Sequence, residues 1–129
     1  MQNREYHRYP FEKLEVWQQA KDFAKEVYSC TKKFPSEEKY GLVSQLNRAA
    51  LSVSSNIAEG SSRKSRKDQG HFYHMAYSSL MEVLSQLIIA QELNFISEEE
   101  YISLRSRIDA IAPRLSALHN HAKAVNSRY

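Results

Sequence analysis

Between Tyr101 and Val125 the residues Tyr101, Leu104, Ile108, Ile111, Leu115, Leu118, Ala122 and Val125 recur at steps of three and four without a break. That alternation places every one of them on one face of an α-helix, over a length no ordinary strand reaches. A stripe this long has to be buried against other apolar surface, so the rest of the chain must supply helices of comparable length.

Three more segments do. From Leu14 to Phe34, Val16, Ala20, Phe23, Val27, Cys30 and Phe34 form one row, and Leu14, Trp17, Ala24, Tyr28 and Thr31 form a second beside it. Phe34-Pro35 should end this helix, because the residue before proline is pushed out of the α region. Ser36 then offers an N-cap with Glu37 and Glu38 in the first turn, where the helix dipole favours negative charge. The row Val43, Leu46, Ala50, Val53 and Ile57 follows, and Gly60 is the expected left-handed C-cap. Ser65 with Asp68 three residues on reads as a capping signal for a third helix, with rows Phe72, Ala76, Ser79, Val83, Leu87, Ala90 and Tyr73, Tyr77, Leu80, Leu84, Ile88. Ser97 with Glu100 is a capping box that starts the fourth at Glu98. Pro113 lies off the apolar row and should kink that helix without ending it.

The expected helices therefore cover about 12–34, 37–60, 66–94 and 98–125, each roughly 30–40 Å long, with residues 1–11 as an arm. Short connections make sequential helices antiparallel neighbours, so the fold class is all-α and the architecture an up-and-down four-helix bundle. The 129 residues suit one domain, and three Gly with three Pro leave few turns. No apolar run reaches the length of a membrane span, the first ten residues lack a signal-peptide core, and one cysteine cannot form an internal disulfide; the expected compartment is the cytoplasm. The double rows on the first and third helices exceed what one partner helix covers, which predicts self-association.

Charge is concentrated. The chain is net +3, yet Arg63-Lys64-Ser65-Arg66-Lys67 alone holds +4, leaving the rest at −1. Cations beside a helix N-terminus can meet phosphates through side chains and free N–H groups, giving affinity without sequence reading. On the second helix Gln45, Arg48, Ser52, Ser55, Asn56 and Glu59 share one side, either a solvated face or a continuation of that binding surface. Catalytic and metal chemistry find little support. His71 and His74 share a helix face, but the only acidic partner at helical spacing is Asp68, where a di-iron bundle needs Glu-x-x-His twice. His119 and His121 point to different faces. Cys30 falls in an apolar row, as a buried inert thiol does. Gly60-Ser61-Ser62-Arg63-Lys64 lacks both the spacing and the preceding strand of a phosphate-binding loop.

Phe11-x-x-Leu14-Glu15-Val16-Trp17, Phe34-Pro35 with Glu38-x-Tyr40-Gly41-Leu42, Gln45-Leu46-Asn47-Arg48-Ala49-Ala50 and Ser55-Asn56-Ile57-Ala58-Glu59-Gly60, with Phe72, Ser79-Leu80, Glu82, Gln86-Leu87 and Ala90, resemble the four-helix-bundle family of 23S rRNA intervening-sequence proteins. That bacterial family is related to the accessory variability protein of diversity-generating retroelements. The resemblance implies a homopentamer with a basic surface that binds RNA or DNA, or docks on a reverse transcriptase as a protein–protein adaptor, without enzymatic activity, metal or cofactor. The residues expected to contact nucleic acid are Arg48, Arg63, Lys64, Arg66 and Lys67. Asn47, Ser54 and Ser78 depart from the pattern, which usually has arginine, proline and glycine there; losing the arginine lowers the implied surface charge.

Overall fold

The computed structural model describes residues 5–126, and the order of elements along them is a 3-10 turn at Pro10–Lys13, α1 (Glu15–Thr31), a 3-10 turn at Ser36–Glu38, α2 (Leu42–Ser62), α3 (Arg66–Glu92) and α4 (Glu98–Asn126). The first four residues of the expected arm, and the side chain of Val125, lie outside what is described. α1 packs on α2 and α4, and α3 packs on the same two, so the helices follow one another around the bundle and the diagonal pairs are not neighbours. This is the up-and-down arrangement that short connections impose. Among the described residues no helix is long and apolar enough to cross a membrane.

The core is the four apolar rows. Phe23, Leu46, Ile57, Leu80, Leu87, Leu104, Ile108, Ile111 and Leu115 are fully enclosed. The second rows on α1 and α3 are largely consumed within the bundle, because each helix faces two neighbours: Ala24, Thr31, Tyr73 and Leu80 are buried, and Leu14, Trp17, Tyr77 and Leu84 pack partly buried against the core. What these rows leave in solvent is Tyr28 and Ile88.

Two of the three predicted N-terminal capping signals form as the local sequence requires. Ser65 Oγ accepts from the Asp68 N–H at 3.1 Å. Ser97 and Glu100 complete a reciprocal box, each side chain bonding the other's backbone N–H at 3.0 Å. The other helix ends differ from expectation, each for a local reason. α1 begins three residues late because Leu14 is extended (φ −76°, ψ 125°) and Pro10 opens a separate 3-10 turn, tied by Glu12 accepting from the Tyr9 N–H at 2.7 Å. It also stops at Thr31, and Phe34 turns inward against the Phe95 ring, 5.5 Å away. Ser36 starts only the second 3-10 turn, with no side-chain cap; Gly41 (φ −111°, ψ −107°) interrupts the chain before α2 starts at Leu42.

Gly60 is not a C-cap. It lies inside α2 with a negative φ, buried, and the helix runs on to Ser62. Its role is close approach: a Cβ there would come within 2.9 Å of Tyr73 Cε1 and 3.1 Å of Phe72 Cβ on α3. The left-handed cap occurs instead at Asn94 (φ 63°), where the Phe95 N–H bonds Ala90 O at 2.9 Å and the Asn94 N–H bonds Gln91 O at 2.9 Å, the paired closure of a Schellman motif. Pro113 stays within an uninterrupted α4.

Candidate nucleic-acid interface

The polar side of α2 divides in two. Ser52 shares a 2.9 Å hydrogen bond with Ser79 of α3, and Asn56 donates to the Ser52 carbonyl at 2.9 Å and to its hydroxyl at 3.0 Å. Gln86 of α3 donates to Gln45 at 3.2 Å. These residues form a hydrogen-bonded seam between α2 and α3 and are occupied by structure. Arg48, Ser55 and Glu59 point to solvent.

At the end of α2 the chain turns extended at Arg63 (φ −77°, ψ 145°) and re-enters a helix at Arg66. Arg63 is compensated: its guanidinium bonds Glu59 at 2.7 Å and lies 4.6 Å above the Phe72 ring, while its carbonyl accepts from Gln69 at 2.9 Å. This arginine clasps the α2–α3 turn more than it offers free charge. Lys64, Arg66 and Lys67 are exposed and have no ion-pair partner among the described residues.

α4 adds to the cluster. The antiparallel α3–α4 hairpin brings its last turns beside the first turns of α3, and Gly70 lets them approach: a Cβ at Gly70 would meet Ala122 Cβ at 3.2 Å. Here Arg66, Lys67, Gly70, His71, His119, Ala122 and Lys123 surround a small cavity of about 160 Å³. His119 Nδ1 lies 3.1 Å from the Gly70 carbonyl, which can only accept, so that nitrogen carries the proton and Nε2 is left free. The His119 ring sits 5.3 Å from that of His74, which therefore faces α4 and not His71. Burial raises the Tyr73 phenol, and nearby Arg66 opposes that shift.

Of the five residues expected from sequence, the structure thus gathers Lys64, Arg66 and Lys67 with Arg63 behind them. Arg48 stands apart, fifteen residues back along α2, or roughly 22 Å at 1.5 Å per residue. Lys123 and His119 join the site without a local sequence signal, although folding the α3–α4 hairpin about its turn at Leu93–Ile96 sets residue 70 opposite about 120. No three metal-binding side chains converge among the described residues. Cys30 is buried, and its thiol is pushed up to about 11 by desolvation, with Glu100 adding to the effect.

The fold is shared with a crystal structure of a protein of unknown function from the S23 ribosomal protein family of Bacteroides thetaiotaomicron. It aligns with a TM-score of 0.75 at 23% identity over 81% of this chain and 95% of that one. Comparison with curated proteins finds no match. A family model described as 23S rRNA-intervening sequence protein matches residues 12–117, which take in α1 to α3, the basic turn and α4 as far as Ala117. The chain belongs to the 23S rRNA-intervening sequence protein family.

Proposed function

We propose that this chain is a non-enzymatic, self-associating protein that holds nucleic acid by its phosphate backbone, through Lys64, Arg66, Lys67 and Lys123 at one end of the bundle. The observation that carries the reading is their convergence without compensation. Five other cations are matched, Arg63 to Glu59, Arg105 to Asp109, Arg107 to Glu26, Arg114 to Glu15 and Lys33 to Glu100, whereas Arg66, Lys67 and Lys123 line one cavity, Lys64 precedes them in the same turn, and none of the four has a carboxylate in ion-pair range among the described residues. Uncompensated charge of this kind attracts a polyanion by counterion release and does not require base readout. Repetition of the cluster in an oligomer would raise a weak single contact by avidity.

A non-catalytic role is supported by the chemistry present, since the one thiol is buried and its pKa raised, away from the basic end. Fluorescence anisotropy with labelled single-stranded and duplex RNA and DNA tests the reading. Binding at 50 mM salt that is lost in the Lys64→Gln, Arg66→Gln, Lys67→Gln triple variant is expected. No binding at 50 mM salt, or binding the triple variant retains in full, refutes it; in the second case a protein partner for this surface becomes the better reading.

A further inference from the structure

The cavity between α3 and α4 is small. At about 160 Å³ it holds the volume of about five waters at ~30 Å³ each, and it falls below the roughly 300 Å³ at which pockets enclose a whole small molecule. One phosphate group fits there, while a sugar and a base have to stay outside. The walls are two antiparallel helices, with Arg66 and Lys67 on α3 and His119 and Lys123 on α4. Gly70 and Ala122, both buried, form the floor, and a Cβ on Gly70 would lie 3.2 Å from that of Ala122.

The lining is cationic, and among the described residues no carboxylate belongs to it. Asp68, the acid in the first turn of α3, stands two residues before Gly70 and so on the opposite side of that helix. The Gly70 carbonyl, an acceptor that would repel an anion, is occupied by His119 Nδ1 at 3.1 Å. Arg66, Lys67 and Lys123 thus set three full positive charges around a space that admits one anionic group. An internal phosphodiester brings a single negative charge, and its two ester oxygens lead to sugars on both sides that have to clear both helix walls. A terminal phosphate monoester brings nearly two charges at neutral pH and three free oxygens, and it leaves the cavity through one ester bond.

We propose that this cavity takes the terminal phosphate of a nucleic-acid strand, with Arg66, Lys67 and Lys123 around the monoester and Lys64, outside the cavity, left for the backbone that follows. The guanidinium supplies the planar fork that matches two phosphate oxygens, and the lysines act as point charges. This rests on the nucleic-acid reading of the same end of the bundle and adds what enters it: strand ends are held in preference to continuous strand.

Fluorescence anisotropy on the full chain at pH 7.5 and 50 mM salt tests this, with circular dichroism to check that each variant is folded. The probes are 3′-labelled single-stranded RNA and DNA of one sequence with a 5′-phosphate or a 5′-hydroxyl, and 5′-labelled strands that end in a 3′-phosphate or a 3′-hydroxyl. A terminal phosphate at one or both ends should tighten binding about fivefold, the effect of one added unit charge about 4 Å from a cation in water. Lys67→Gln and Lys123→Gln should each reduce that preference, whereas Lys64→Gln should weaken phosphorylated and unphosphorylated strands in the same proportion. Equal binding with and without the phosphate at both ends, or a preference that Lys64→Gln lowers as much as Lys123→Gln does, overturns the proposal while the nucleic-acid reading stands. No binding of any strand overturns both.

Discussion

Gly60→Ala should destabilise the bundle, although alanine is the better helix former. Inside a helix the exchange is worth about 1 kcal/mol in favour of alanine. Against this, the added Cβ would sit 2.9 Å from Tyr73 Cε1 and 3.1 Å from both Tyr73 Cδ1 and Phe72 Cβ. Tyr73 is 7% exposed and cannot swing aside into solvent, so α2 and α3 must separate, and overpacking of this kind costs about 1–3 kcal/mol. The net expectation is a loss of about 1 kcal/mol, or about 3–5 °C in Tm for a domain of this size. Urea unfolding followed by far-UV circular dichroism reads it as a lower midpoint at constant m. Tyr73→Val removes both close ring atoms and leaves only the Phe72 Cβ contact at 3.1 Å, so in that background the cost of the same Gly60→Ala change should shrink. A stabilising Gly60→Ala in the wild-type background, or an equal effect in both backgrounds, would refute the close-approach account.

Three other outcomes follow from named contacts. Lys123→Gln should weaken nucleic-acid binding about as much as Lys67→Gln, whereas Arg48→Gln should leave it within twofold, read by anisotropy at 50 mM salt. The Cys30 thiol, buried and shifted up to about 11, should resist a thiol reagent at pH 7.5 in the native protein and react promptly in urea. The hydrogen bond from Lys33, and next that from the Ser97 N–H, hold the Glu100 carboxyl below its usual range. A carboxyl depressed in the folded state stabilises the fold above its unfolded value, near ~4.3, and that contribution is lost as pH falls through the folded value. Glu100→Gln should therefore lower the urea midpoint at pH 7, with the difference from wild type shrinking toward zero at pH 3.

The features read correctly from sequence are those whose signal spans a turn or repeats along a helix. Ser65 with Asp68 and Ser97 with Glu100 are three residues apart and determine their own geometry, and the apolar rows repeat often enough to fix which face is buried. Gly60 was ambiguous because glycine serves both helix ends and close approach, and the deciding residues, Phe72 and Tyr73, belong to another helix. Asn94 took the left-handed cap without any pattern marking it. The basic site shows both limits. Glu59, four residues before Arg63, was a visible pairing signal, and it neutralises the first cation of the run. Lys123 and His119 enter through the register of the α3–α4 hairpin, which depends on where the turn at Leu93–Ile96 falls. Arg48 leaves the site simply because it stands fifteen residues before Arg63 on a continuous α2 of 21 residues. The second apolar rows on α1 and α3 face two neighbours within one bundle and leave only Tyr28 and Ile88 in solvent, so their width reflects the bundle's own packing.

The central claim is that uncompensated charge at one end of the bundle engages phosphates, and its most direct test is the salt dependence of RNA and DNA binding. Each cation that displaces a counterion contributes roughly 0.7 for a single strand, or 0.9 for a duplex, to the slope of log affinity against log salt. For each site engaged, removing Lys64, Arg66 and Lys67 together should therefore lower that slope by about 2–3. A wild-type slope near zero, or a slope the triple variant leaves unchanged, would contradict the account.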